Sequence, residues 1–178
     1  MWINFILFVV LISVSFLYYF LKFRDWNRVF FELGFKKIGV FNLVKYFLFC
    51  FAGLFLLSFF LGFLFLIFGF NDLSLVHEVI KTIFSSDYKW LIFGLIFTVF
   101  AEEVFFRGLL VNKFGIFFSS LFFSLWHSFY GSFSEVFGAF VLGMWLGFIY
   151  KKSGSLFVCL LGHWSYNLVM ILLLFSQI

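Results

Sequence analysis

Three ionisable residues lie close together in a segment that is otherwise apolar: Glu102, Glu103 and Arg107. A charged side chain near the centre of a bilayer costs roughly 2.5–3.5 kcal/mol on insertion scales, so three in one helix need a compensating reason. Glu103 and Arg107 are four residues apart, with the acid N-terminal to the base, so they can form an ion pair on one helical face. This pair is as readily a structural clasp as a functional one.

Glu102 differs, because it points about 100° away from Glu103 around a helix and Arg107 cannot easily neutralise both carboxylates. An unpaired carboxylate in an apolar segment is most often functional, or else it is held protonated. His127, His163 and Asn167 lie in two other apolar segments. A lone intramembrane histidine is as often structural as functional, but two of them on separate segments, together with an unpaired glutamate, favour a functional site.

The depths of these residues agree. At about 1.5 Å per residue, Glu102 lies about 16 Å along its helix from Lys113, and His127 lies about 20 Å from the same lysine. His163 lies about 16 Å from Lys152 by the same measure. His163 and Asn167 are four apart and share one helical face. The sequence therefore predicts that the four side chains converge on one water-accessible pocket.

Such a set could hydrolyse a peptide bond, which requires an activated water and stabilisation of an oxyanion. Glu102 is a competent general base, and a histidine can hold the water or bind a divalent metal. Asn167 and a second histidine can donate hydrogen bonds to the oxyanion. No His-Glu-x-x-His sequence is present, so zinc does not follow from the spacing. A zinc ion held by Glu102, His127 and His163 and a metal-free glutamate mechanism are equally open.

The composition places these residues in a membrane protein. The 178-residue chain is 65% hydrophobic and 11% charged, whereas soluble domains are about half apolar and about a quarter charged. Cys50 and Cys159 fall in apolar runs without paired spacing, which indicates neither a disulfide framework nor a zinc site. The net charge of +4 resides in short loops between apolar segments, a pattern of membrane topology rather than of nucleic-acid binding.

Six apolar segments predict an all-α, polytopic transmembrane helix bundle that forms one domain over residues 1–178. The fourth and fifth segments are short for a span of about 20 residues, so five spans is the alternative count. Residues 71–89 carry apolar side chains at helical spacing between polar ones, which predicts a short amphipathic helix on the membrane surface. Gly138, Gly143 and Gly147 predict a close approach between the fifth helix and a neighbour. The predicted spans are residues 2–21, 46–70, 90–111, 116–130, 136–150 and 156–178.

The basic residues fall mainly in alternate loops. The loops on one side of the membrane contain only two basic residues, Lys81 and Lys89. The positive-inside rule therefore puts the other loops in the cytoplasm and both termini outside, as a multi-pass protein of the cell membrane, and we expect the pocket to open toward the cytoplasm and the inner leaflet. The cytoplasmic side receives nine basic residues: Lys22, Arg24, Arg28, Lys36, Lys37, Lys45, Lys113, Lys151 and Lys152.

Three motifs resemble those of the CAAX-protease and bacteriocin-processing family (CPBP, or Abi). EEVFFRG at 102–108 fits the family's Glu-Glu-x-x-x-Arg motif, FSLWH at 123–127 fits Phe-x-x-x-His, and HWSYN at 163–167 fits His-x-x-x-Asn. Each motif alone is weak, but all three in order on separate apolar segments are specific. The resemblance covers about residues 90–170, the expected catalytic core, and Leu33-Gly34-Phe35 and the link at 151–156 are also suggestive.

The resemblance implies an all-helical intramembrane endopeptidase, similar to the eukaryotic Ras-converting enzyme that trims prenylated CAAX proteins. Glu102 would activate the water with His127, and His163 with Asn167 would form the oxyanion side. The implied partners are membrane lipid and a membrane-anchored or lipidated peptide substrate. The family is usually described as metalloproteases, although a metal-free mechanism is also argued for it. The supporting residues would be Glu103, Arg107 and Phe123.

Two non-enzymatic functions are the alternatives. A small membrane protein of this kind could be an immunity or scaffold protein that binds a membrane peptide without cutting it. An ion or proton transporter also uses buried glutamates and histidines. Transporters usually show internal repeats, and the sequence contains none. The complete motif set favours the enzyme.

Overall fold

The chain folds into a bundle of helices, which we describe from a computed structural model covering residues 2–176, with side chains for residues 5–176. Two π-helical stretches, Gly94–Thr98 and Glu103–Val111, flank α5, and a 3₁₀ turn at His127–Tyr130 follows α6. No strand occurs among the residues described, and the all-α prediction is confirmed for them. The α-helices are α1 (Trp2–Phe23), α2 (Trp26–Glu32), α3 (Val40–Phe68), α4 (Leu73–Phe93), α5 (Val99–Glu102), α6 (Asn112–Trp126), α7 (Phe133–Ser153) and α8 (Leu156–Phe175).

Four helices are long and apolar enough to cross a membrane: Phe5–Phe23, Val40–Phe68, Phe133–Ser153 and Leu156–Phe175. They correspond to the predicted first, second, fifth and sixth spans; residues 177–178 of the sixth lie outside the described part. The third span carries the charged motif, and the fourth coincides with α6, which has only 15 residues. Two predicted spans are thus not among the long apolar helices, and these two carry the first and the second motif. The count of six stays a prediction.

The outer faces of the bundle are strongly apolar, as expected of a surface in contact with lipid. On α3 alone, Leu56, Phe59 and Leu66 are each more than 70% exposed. An apolar face of this size would aggregate in water unless it were covered. The protein is therefore a membrane protein.

Two backbone breaks define the segment that carries the first motif. Asp87 has an extended backbone within α4 (φ −167°, ψ 102°), and Gly115 has a φ of +84° in α6, a conformation that favours glycine. Between them the chain is helical from residue 88 to residue 114. The part of α4 before Asp87 is the helix predicted at residues 71–89. Asp72 fixes its start, because its carboxylate accepts hydrogen bonds from the N–H groups of Phe133 and Ser134.

Close helix packing positions α6 against α7. A Cβ added to Gly147 would lie 2.9 Å from Cγ2 of Ile116, and one on Gly143 would lie 3.1 Å from the ring of Phe123. Only glycine fits such contacts without movement, so the predicted close approach is confirmed at these two positions. At Gly138 the prediction is wrong, because open space surrounds this residue.

The loop after α2 braces the start of α8. The carbonyl of Gly34 accepts a hydrogen bond from the Leu156 N–H at 2.8 Å, and the Ser155 hydroxyl donates to the Lys36 carbonyl at 2.9 Å. Gly34 has a φ of +87°, and a Cβ there would strike the ring of Tyr150. The Leu33-Gly34-Phe35 segment thus fixes the helix that carries the third motif.

Candidate active site

Glu102 occupies the last position of α5, immediately before the chain enters the π-helical stretch at Glu103–Val111. The side chain is 6% exposed, and the remaining surface faces a cavity within the bundle. The indole of Trp126 lies beside its carboxyl group. π-Helical turns occur frequently at functional sites, because they change which side chains share a helical face.

Glu103 points into the protein rather than into the cavity. It is fully buried, and its Oε1 atom lies 3.3 Å from Nη1 of Arg107 and 2.9 Å from Nδ1 of His163. The predicted pair between Glu103 and Arg107 is therefore present. The bond to His163 was not predicted. It makes Glu103 the residue that fixes the orientation of a candidate catalytic histidine.

Both candidate histidines use Nδ1 for a structural hydrogen bond. Nδ1 of His127 lies 2.8 Å from the carbonyl oxygen of Phe123. Because a carbonyl can only accept, this nitrogen carries a proton, and in the neutral ring Nε2 is an acceptor. Nδ1 of His163 is held by Glu103. Each ring therefore keeps Nε2 available for water or substrate.

The ring of Phe123 is the centre around which the site is assembled. It is 3% exposed, and the guanidinium carbon of Arg107 lies 4.3 Å from its centroid, as a cation–π contact. The imidazole centroids of His127 and His163 lie 4.5 Å and 6.0 Å from it. Phe123 therefore brings residues of all three motifs together, and its supporting role stays a prediction.

A cavity of about 670 Å³ connects the four candidate residues. Glu102, His127, His163 and Asn167 all line it, whereas Glu103 and Arg107 do not. The walls are mostly apolar. This arrangement agrees with the predicted pocket and separates the four candidate catalytic residues from the two buried supporting ones.

The direction of the cavity differs from the expectation. It extends toward the end of the bundle formed by the first part of α4, where Leu73 and Ile83 line it, and none of its lining residues belongs to the basic loops. The expected opening toward the side of Lys113 and Lys151 is wrong. α6 ends at Trp126, and residues of the 3₁₀ turn that follows it line the cavity together with the first part of α4.

Further polar residues line the cavity, and three of them that bear on its chemistry were not predicted as site residues: His77, Tyr130 and Glu135. His77 lies in the amphipathic segment at residues 71–89, where polar residues are expected, and Glu135 lies just before the predicted fifth span. The available signal was the Ser-x-x-Glu pattern at 132–135, which places Glu135 in the first turn of a helix rather than in a loop.

The expected metal ligands Glu102, His127 and His163 share the cavity. However, within the described part of the chain no group of three or more His, Cys, Asp or Glu side chains is arranged to hold a metal ion. The geometry of the described residues therefore does not fit a preformed zinc site.

Known families supply an independent comparison. Residues 84–169 match a family model described as Type II CAAX prenyl endopeptidase Rce1-like. No curated protein and no solved structure matches the chain. The matched region holds the complete set of three motifs and all four cavity-lining candidates. Over residues 84–169, this chain is therefore similar to the Rce1-like Type II CAAX prenyl endopeptidases.

Proposed function

We propose that the protein is an intramembrane endopeptidase that hydrolyses a peptide bond of a membrane-associated or lipidated, CAAX-like substrate. The observation that carries the proposal is the division of the adjacent glutamates: Glu102 lines the cavity, while Glu103 is buried behind it on His163. A scaffold protein would have no need for an unpaired carboxylate beside two histidines whose Nε2 atoms are left free.

In the proposed reaction, the Glu102 carboxylate takes a proton from a water molecule while the water oxygen attacks the substrate carbonyl carbon. Nε2 of His127 accepts a hydrogen bond from the same water and orients it. The proton held by Glu102 then passes to the departing amine nitrogen as the carbon–nitrogen bond breaks. The apolar walls exclude other water, so the attacking molecule is the one held by these side chains.

The oxyanion would be stabilised by His163 and Asn167, which share one face of α8. For Nε2 of His163 to donate to the oxyanion, both ring nitrogens must carry a proton, and in that form Nδ1 donates to the Glu103 carboxylate that already holds it. Removing one donor of this kind typically lowers kcat by about 10²–10³-fold.

The proposed setting is a multi-pass cell-membrane protein of six spans with both termini outside the cytoplasm. Four apolar helices, a family of membrane proteases and the split of basic residues between alternate loops support it. Membrane lipid and a membrane-anchored peptide are the proposed partners. The cavity then opens away from the cytoplasm.

The test is cleavage of a library of lipid-anchored peptides by the purified protein in detergent and in proteoliposomes. We expect the wild type to cleave a subset of the library and Glu102→Ala to cleave none of it, with both proteins folded by thermal melting. Glu78→Gln, an exposed change on α4, is the control and should cleave like the wild type. Equal cleavage by Glu102→Ala would reject the proposal.

A further inference from the structure

A second carboxylate, that of Glu135, lines the same cavity as Glu102. Glu135 is in the first turn of α7, and residues 132–135 have the Ser-x-x-Glu pattern of a capping box. One half of the box forms, because the Ser132 hydroxyl accepts a hydrogen bond from the Glu135 N–H at 3.0 Å. The reciprocal bond from the Ser132 N–H to the carboxylate is not among the hydrogen bonds of the described residues. The carboxylate is therefore left to the cavity.

No cation neutralises this carboxylate. Across residues 5–176, no Lys, Arg or His nitrogen lies within 4.0 Å of Glu135. The cavity lining includes two carboxylates and three histidines but no Lys or Arg. Protein encloses Glu135 on most sides, yet part of its surface remains open to the cavity. An enclosed carboxylate without a partner is best compensated by a ligand that brings positive charge.

The position of Glu135 along the cavity follows from the packing of α7 on α8. The Sγ of Cys159 lies 3.5 Å from the carbonyl oxygen of Leu146, which puts these two residues at one level. Leu142 lies four residues before Leu146 on α7, and His163 lies four residues after Cys159 on α8. Because the two helices are antiparallel, Leu142 and His163 also lie at one level. Glu135 is seven residues beyond Leu142, or about 10 Å along the axis. An extended peptide covers about 3.3 Å per residue, so this separation corresponds to about three residues.

We propose that Glu135 is a specificity-determining residue that selects membrane-associated peptides with a lysine or arginine about three residues from the cleaved bond. The inference rests on the proposed endopeptidase function. The apolar walls accommodate the uncharged residues of the peptide, while Glu135 pairs with the cation. Tyr130 is close enough to interact electrostatically with both Glu102 and Glu135, so it adjoins both the reacting centre and this subsite.

The test is a lysine scan in a palmitoylated peptide that is cleaved and otherwise uncharged. At the preferred position, lysine is compared with norleucine and with glutamate in the wild type, Glu135→Gln and Glu135→Lys. We expect the wild type to cleave the lysine peptide with a kcat/KM at least about tenfold above that of the norleucine peptide, the effect of one ion pair. Glu135→Gln should lose this preference, and Glu135→Lys should prefer the glutamate peptide.

Glu78→Gln is the matched control, because Glu78 is an exposed acid on α4 that does not line the cavity. It should keep the wild-type preference. A folded Glu135→Gln protein that still prefers the lysine peptide would overturn the inference, as would a wild type without any charge preference.

Binding separates this inference from the proposed function. Fluorescence anisotropy gives the affinity of the three peptides for Glu102→Ala, alone and combined with Glu135→Gln. If no peptide is cleaved by the wild type but Glu102→Ala selects the lysine peptide through Glu135, the endopeptidase proposal fails and the role of Glu135 stands. If cleavage is seen but neither binding nor cleavage depends on charge, the endopeptidase stands and the role of Glu135 fails.

Discussion

Nδ1 of His163 lies 2.9 Å from Oε1 of Glu103, so the two adjacent glutamates of the first motif have different tasks. Glu103 connects Arg107 on the same helix with His163 on α8 and is fully buried. Glu102, one residue earlier, faces the cavity. The two adjacent carboxylates are thus one structural anchor and one candidate general base.

The first prediction follows from this difference. Glu103→Gln should destabilise the protein by about 3–5 kcal/mol, because Arg107 would be left as a buried charge without its partner. Nε, Nη1 and Nη2 of Arg107 have no hydrogen-bond partner among the described residues beyond the ion pair itself. Glu102→Gln should not be destabilising, since it removes an unpaired buried charge. Melting in detergent measures both, and a lower melting temperature for Glu102→Gln than for Glu103→Gln would contradict the assignment.

The arrangement of Glu102, Glu103 and Arg107 could be predicted because it depends on local geometry, whereas the catalytic roles of the site residues stay a prediction. The separation of Glu102 from Glu103 follows from helical periodicity, and the pairing of Glu103 with Arg107 follows from the four-residue spacing. The contact of Glu103 with His163 could not be predicted, because it depends on the level at which α8 packs against the π-helical stretch. Sequence periodicity contains no information on that level.

The apolar helices could also be predicted from the sequence, but the direction of the cavity could not. The four apolar helices correspond to predicted spans, since composition alone determines them. The direction of the cavity was predicted wrongly, because it depends on where α6 ends and on how α4 returns over that end. Gly138 illustrates the same limit: it lies on α7 as Gly143 and Gly147 do, yet a Cβ added to it would meet no atom within 4 Å, and only the position of the neighbouring helix distinguishes the three.

The second prediction uses these glycines as a matched pair on α7. Gly147→Ala should destabilise the protein by about 1–3 kcal/mol, since the added methyl group would lie 2.9 Å from Ile116 and force α6 and α7 apart. Gly138→Ala adds the same atoms to the same helix without a clash and should leave the melting temperature unchanged or raise it. Equal losses of stability at both positions would argue against the observed packing of α6 on α7.

The third prediction concerns topology. Reporter domains fused after Lys37 and after Asp87 should lie on opposite sides of the membrane, with Lys37 in the cytoplasm. The reason is the split of nine basic residues against two between alternate loops. Alkaline phosphatase and green fluorescent protein fusions report the two sides. Reporters on the same side would show that the span between them, α3, does not cross the membrane as predicted, and the side to which the cavity opens would have to be reassigned.

The fourth prediction concerns metal. Because no set of three ligands is assembled in the described residues, peptide cleavage should survive dialysis against EDTA and 1,10-phenanthroline. Metal content of the dialysed protein is measured by mass spectrometry alongside its activity. Activity that is lost with the metal and restored by stoichiometric zinc would contradict the metal-free mechanism and favour Glu102, His127 and His163 as ligands.

The central claim is that Glu102 acts as a general base, so that water attacks the peptide bond directly. A single-turnover cleavage in ¹⁸O-labelled water, with enzyme in excess over the peptide, tests it. We predict that the new carboxyl terminus carries one ¹⁸O atom after the first turnover and that Glu102 carries none, both measured by mass spectrometry. A first-turnover product without ¹⁸O, together with ¹⁸O in the Glu102 carboxylate, would instead mean that Glu102 attacks as a nucleophile, and would contradict the account.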